Sequence, residues 1–196
     1  MFFAIIKTSG GYFMKLPKLN ILIEGSKTLK IKSKDVVFPL SSEEKKLIKE
    51  MMDYLEMSQI EEERIKYDLR PGMGLAFIQL GIPKRIFVIV EELEDNKFER
   101  YVVINPKIKS QSEEIIYVGE GEGCLSITRD TEGIVPRHAR MNIVAFDELG
   151  NEYEIRVREE LSVAFQHEID HLNGILFVDK IDKKNPYKNK ELMREI

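Results

Sequence analysis

Runs of apolar positions with two distinct periods divide the chain. Between residues 41 and 62, Leu47, Met51 and Leu55 recur every four residues, with Ile48 and Met52 beside them. That is one apolar stripe on a helix. Ser41 followed three residues later by Glu44 supplies a capping box at its start. "RPGMGLAFIQLGIP" (70–83) is a glycine- and proline-punctuated loop. "RIFVIV" (85–90), "YVVIN" (101–105) and "EIIYVGE" (114–120) read as strands, and "NIVAFDELGNEYEIRV" (142–157) reads as a hairpin turning at "ELGN". The last long element is a helix over 159–173. Leu161, Ala164, Phe165 and Leu172 recur at helical spacing, and Gly174 sits where a left-handed residue ends a helix. "ILFVDKI" after it reads as a short strand. Short strands followed by a late helix predict an α+β fold, in which antiparallel strands pack around a central C-terminal helix.

Length and charge narrow the class. The 196 residues suit one domain, with residues 1–13 as an N-terminal extension before Met14 and 183–196 as a flexible tail. A formal net charge of −4 gives no basic field for sequence-specific nucleic-acid binding. No run approaches the roughly 20 apolar residues of a membrane-crossing helix, and the first residues lack the basic start of a signal peptide. One cysteine, Cys124, cannot form an intrachain disulfide. A reducing cytoplasm is the simplest home for such a chain.

The chemistry lies in "QHEIDHLNG" (166–174), which holds two of the three histidines of the chain. His167 and His171 are four residues apart, so one helical turn brings both imidazoles to the same face. Glu168 falls near the apolar stripe, where a carboxylate is costly unless something compensates it. This is the H-E-x-x-H pattern, in which two histidines bind a metal and the glutamate serves as general base. A catalytic metal needs a third protein ligand and an open position. The extended metallopeptidase motif would place a histidine at 177, but the chain has Phe177. A downstream glutamate, Glu191, sits in a lysine-rich tail with little apolar surface to hold it. His138, in "VPRHAR", would have to complete a closed structural site, for which no second cysteine exists. Upstream, Cys124 lies in "GEGEGCLS" (119–126), where glycines allow close backbone approach. A thiolate suits zinc or ferrous iron. The preferred set is therefore Cys124, His167 and His171.

Three segments in order now define a resemblance. "GMGLAFIQ" (72–79) is similar to G-x-G-x-A-A-x-Q, "EGCLS" (122–126) is a full match, and "QHEIDHLNG" fully matches Q-H-E-x-D-H-L-x-G. Together they resemble the peptide deformylase family over about residues 40–180, in the form typical of Gram-positive bacteria and mycoplasmas. Phe77 replaces the second alanine of the first motif, which raises the question of loop packing and pocket shape.

The resemblance implies hydrolysis of the N-formyl group of formyl-methionyl nascent chains, with release of formate. It implies one divalent ion, Fe2+ in the cell, with Ni2+, Co2+ or Zn2+ able to take its place in purified protein. Glu168 would carry the proton. The Gln79 side chain and the Leu125 backbone N–H would form an oxyanion hole. Met73, Val163 and Ala164 would wall the methionine pocket, and Gly74 would offer its backbone to the peptide. Transient ribosome contact through the lysine-rich tail is a further expectation. Asp170 is a poor helix-interior residue, and the wheel sets it opposite the apolar stripe. The family's arginine after the cysteine motif gives it a partner in Arg137, and that ion pair would hold the halves of the site in register.

Overall fold

The computed structural model describes residues 16–93 and 97–196, so the expected extension over 1–13 lies outside the described residues. Helix α1 (Ser42–Gln59) begins as its capping box dictates: the Glu44 N–H donates to Ser41 Oγ, and the Ser41 N–H donates to the Glu44 carboxylate. It ends earlier than the periodicity suggested. Ile60 is extended, and a second helix, α2 (Glu61–Tyr67), follows at once.

A five-stranded antiparallel sheet forms the frame. Its strands are β1 (Gly74–Ala76), β2 (Ile86–Glu92), β3 (Phe98–Gln111), β6 (Arg140–Phe146) and β7 (Glu152–Arg158), in the order β1-β2-β3-β6-β7. The continuous apolar run of β2 has a direct cause: both faces of the sheet are covered. Ile86, Val88 and Val90 pack with Ile48, Met51 and Leu55 of α1. Phe87 and Ile89 pack on the other face with Phe165, Ile169 and Leu172 of helix α3 (Glu159–Leu172). Strands β6 and β7 form the expected hairpin, whose turn is held by Asp147 accepting from the Leu149 and Asn151 backbones.

A smaller sheet joins β4 (Ile115–Tyr117) to β5 (Arg137–His138) and β8 (Arg194–Glu195). The β4–β8 pairing is parallel, whereas the other pairings between these strands are antiparallel. Through it the segment expected as a flexible tail folds back on the domain. The expected strand in "ILFVDKI" is instead a short 3-10 turn, Phe177–Asp179, closed by Asp179 accepting from the Leu176 N–H. Phe77 is fully buried against the α1 side of the sheet, among Ile48, Met51, Leu55 and Leu125. It fills core beneath the loop and does not line the cleft.

Candidate metal centre

Helix α3 departs from the one-sided stripe in an instructive way. Every residue from Phe165 to Leu172 is buried. The apolar residues meet the large sheet, while Gln166, His167, Asp170 and His171 face the segment 118–127 and β5, and Glu168 lies against Gly74 of β1. Gly174 adopts φ 74° and ends the helix, as expected, and there the backbone of Lys30 comes so close that a Cβ would lie 2.6 Å from its carbonyl oxygen.

The three expected ligands converge. One donor atom from each of Cys124, His167 and His171 lies within 4.8 Å of the other two. Cys124 Sγ is 3.3 Å from His171 Nε2. The Ser126 N–H points at the same sulfur from 3.4 Å. His167 Nδ1 meets the Glu122 carboxylate at 2.8 Å, which sets Nδ1 as the protonated nitrogen and leaves Nε2 as the lone-pair donor. Phe177, at the position where a longer motif would have a third histidine, stacks on the His167 ring at 5.8 Å between centroids.

Two observations test whether a metal fits. The donor set, a thiolate and two imidazoles, is one that zinc and ferrous iron accept. In addition, Glu168 Oε2 is buried and finds no hydrogen-bond partner among the described residues. A buried, unpartnered carboxylate oxygen is expensive unless a polar species meets it. Burial pushes the Glu168 carboxyl up to about 7, against the pull of Arg137. Burial holds His171 well below its ordinary value and keeps its lone pair free.

Arg137 stands behind the ligands, with its side chain 1% exposed. It donates to both Glu122 oxygens at 2.6 and 2.9 Å, and to Asp170 at 2.5 Å. Lys180 adds a second cation on Asp170 at 3.0 Å. Burial alone would raise the Glu122 carboxyl, but hydrogen bonds from His167 and Arg137 hold it down at about 2. The expected Asp170–Arg137 contact is thus present. Asp170 is buried and not on an outer face, because β5 and the turn after α3 cover that side. Gln166 ties α3 to β5 by accepting from the His138 N–H at 3.0 Å and donating to the His138 carbonyl at 2.9 Å. His138 itself turns away, with Nδ1 on the Ser112 carbonyl at 2.7 Å. Glu191 lies exposed in the tail, apart from the three ligands.

A cleft of about 300 Å³ opens over the site. Met73, Gly74, Gln79, Leu125, Val163 and Ala164, all expected there, line it together with Glu122, Cys124, His167 and Glu168. Gln79 Oε1 accepts from the Ala76 N–H at 2.8 Å, so its amide nitrogen turns toward Ser126 Oγ at 3.1 Å and the Cys124 sulfur at 3.7 Å. Sequence reasoning missed two residues. Glu122 was legible only as part of the matched "EGCLS"; its contacts with His167 and Arg137 are made across the fold. Arg70, just before the first motif, donates to the carbonyls of Leu125, Cys124 and Ile127 at 3.1, 3.0 and 2.6 Å.

A thiolate and two imidazoles converging beside a buried carboxylate, on an α+β frame with an open cleft, define a metal-dependent hydrolase. The sequence profile of the family described as "Polypeptide deformylase" matches residues 18–187, and this chain belongs to that family. It is 46% identical over 170 residues to the peptide deformylase of Ligilactobacillus salivarius, covering 85% of this chain and 91% of the relative. To that of Listeria monocytogenes serotype 4a it is 45% identical over 167 residues, covering 85% and 91%. Among solved structures it is similar to the peptide deformylase of Thermotoga maritima, with a TM-score of 0.66, 30% identity and coverage of 84% and 97%. It is also similar to the Met-Ala-Ser-bound enzyme of Acinetobacter baumannii, with a TM-score of 0.65, 28% identity and coverage of 83% and 98%. The chain is therefore a metal-dependent enzyme that removes the N-formyl group from nascent peptides. No helix among the described residues is long and apolar enough to cross a membrane.

Proposed function

We propose that Cys124, His167 and His171 hold one divalent ion, ferrous in the cell, and that Glu168 carries the proton of formyl hydrolysis. The convergence of the three donor atoms supports this reading more than any other single observation. Bound there, the ion supplies Lewis acidity and brings the pKa of a water toward neutrality. Glu168 takes the proton of the attacking water and delivers it to the departing amine nitrogen of methionine. Its burial beside the ligands, with one oxygen lacking any partner among the described residues, suits a group that must both accept and give a proton. The Gln79 amide and the Leu125 N–H stabilise the charge that develops on the formyl oxygen, each such donor being worth a few kcal/mol.

The substrate is an extended peptide. Strand β1 is an edge strand of the large sheet, and Met73 and Gly74 line the cleft beside it. An added strand is the natural way for a peptide to lie there. Met73, Val163 and Ala164 give the methionine side chain its apolar walls. The Acinetobacter relative was solved with Met-Ala-Ser bound, a peptide of the product type. Formyl-methionyl chains emerge from the ribosome, so the enzyme acts in the cytoplasm, and Lys183, Lys184, Lys188 and Lys190 offer a surface for brief ribosome contact.

Purification without oxygen, metal analysis and a formate-release assay on formyl-Met-Ala-Ser test the reading together. Expected is one equivalent of iron, with activity lost in air and restored by ferrous or nickel ions. One equivalent of zinc in the anaerobic enzyme would overturn the choice of iron, and no formate release with any of the four metals would overturn the site.

A further inference from the structure

Arg70 is outside the three segments that carry the family resemblance, yet its guanidinium meets one of them at two points, Cys124 and Leu125, and the residue just past it, Ile127, at a third. Its Nη2 donates to the Cys124 carbonyl at 3.0 Å and to the Ile127 carbonyl at 2.6 Å, and its Nη1 donates to the Leu125 carbonyl at 3.1 Å. Arg70 has no carboxylate partner among the described residues, and all three of its side-chain hydrogen bonds go to this one turn. The turn's other bonds go elsewhere on it: the Ile127 N–H donates to Cys124 O at 3.1 Å, the Glu24 N–H to Ser126 O at 2.8 Å, Gln79 to Ser126 Oγ at 3.1 Å and the Ser126 N–H to Cys124 Sγ at 3.4 Å, so Arg70 is the one side chain on the Cys124 and Leu125 carbonyls among the described residues.

The peptide unit between Cys124 and Leu125 is what makes this matter. It is planar, with its carbonyl oxygen on one edge and its N–H on the opposite edge. The oxygen belongs to Cys124 and the hydrogen to Leu125. Whatever holds the first fixes the direction of the second. A cation on the carbonyl also draws electrons from nitrogen, so the N–H becomes a stronger donor. We infer that Arg70 is a positioning residue for hydrolysis: it aims and polarises the Leu125 N–H from behind, through the Cys124–Leu125 peptide bond. This rests on the reading of that N–H as an oxyanion donor. Arg70 touches neither substrate nor ligand atoms; it acts through the peptide plane. A lysine at this position would keep the charge but present one tetrahedral nitrogen where three carbonyls need a planar fork.

The test uses Arg70→Met and Arg70→Lys in the full chain. Steady-state kinetics on formyl-Met-Ala-Ser and metal analysis are done on nickel-loaded protein. The amide proton shift of Leu125 is followed in zinc-loaded protein labelled with 15N-leucine. Weakening one oxyanion donor without removing it gives about a tenfold fall in kcat for Arg70→Met, with KM within about twofold and metal content unchanged. The Leu125 amide proton moves upfield, as a less polarised donor does. Arg70→Lys recovers part of both effects and keeps the assay informative if the methionine variant does not fold. An unmoved Leu125 amide in the folded variants overturns the inference. An amide that moves while kcat stays within twofold overturns the oxyanion reading beneath it.

Discussion

Gly74→Ala is a one-atom test of how the site is packed. Gly74 lies in β1, opposite Ile89 of β2, with a backbone that any residue can adopt. An alanine there carries no conformational penalty, so the effect is purely one of space. The added Cβ would stand 2.5 Å from Glu168 Oε1 and 2.9 Å from both Cδ and Cγ of the same side chain, where ordinary contact begins at 3.4 Å. The carboxylate must retreat by about 0.9 Å from the oxygen contact alone. Glu168 is 3% exposed, within the stretch of α3 whose every residue is buried, so it has nowhere to go without leaving its place over the ligands. A misplacement of about 1 Å costs on the order of 100-fold in rate, and overpacking costs about 1–3 kcal/mol of stability. Formate release by metal-loaded Gly74→Ala is expected to fall by about that factor, with metal content unchanged. A double-mutant cycle isolates the cause: in a Glu168→Ala background the same substitution should cost no stability in a thermal melt. Activity within threefold of the parent would refute the reasoning, as would an equal stability loss in both backgrounds.

Glu168→Gln is expected to abolish formate release while one equivalent of metal stays bound; loss of metal with activity would make Glu168 a ligand or a folding residue. Cys124→Ala should leave a folded protein that no longer retains metal through gel filtration, whereas retention would point to a different third ligand. Arg137→Ala strands Glu122 and Asp170 in the interior, so unfolding by urea should show a loss of about 3–5 kcal/mol; a loss under 1 kcal/mol would refute the burial argument. Phe77→Ala removes a fully buried ring from the α1 side of the sheet. It should cost about 3–5 kcal/mol with KM for formyl-Met-Ala-Ser unchanged, and a several-fold change in KM would place the ring in the cleft after all.

Local signals were readable from the chain wherever one stretch settles its own structure. Ser41 and Glu44 cap α1 because both partners lie within one turn. The apolar run of β2 is legible because two-sided burial leaves no polar position to interrupt it. The spacing of His167 and His171 is a helical property, and their convergence with Cys124 needed only a second segment rich in glycine. Other features depend on distant partners. Strand β3 runs for 14 residues, far past "YVVIN", because β2 pairs with its first half and β6 with its second; Asn105 at φ 51° and two register shifts carry the strand across that join. "ILFVDKI" has strand-like composition, but Leu176 and Phe177 pack with Leu29 and Cys124 and the backbone follows them into a turn. The tail has no apolar period to read. Its Arg194 is held by Glu114 and Glu159, at 2.8 Å in each case, and so brings β8 alongside β4. The helical wheel set Asp170 opposite the apolar stripe, and there it meets Arg137 and Lys180; that this side is buried as well follows from β5 and the turn after α3, which a wheel does not show.

The buried charges around Arg137 follow from where the ligands come from. Cys124 belongs to a loop and the histidines to a helix, so nothing local fixes the distance between them. Apolar packing is non-directional and would allow that loop to slide by fractions of an ångström. Arg137 removes the freedom, since its planar fork grips Glu122 on the loop side and its remaining nitrogen grips Asp170 on the helix side. Glu122 then passes the constraint to the His167 ring, whose orientation and tautomer it sets. Charge balance makes the arrangement tolerable: two carboxylates face one buried guanidinium and one partly exposed ammonium, Lys180. A neutral network of the same shape would pack as well. It would lack the negative charge at Glu122 that makes His167 a better electron donor, so the same residues that hold the ligands in place also tune one of them.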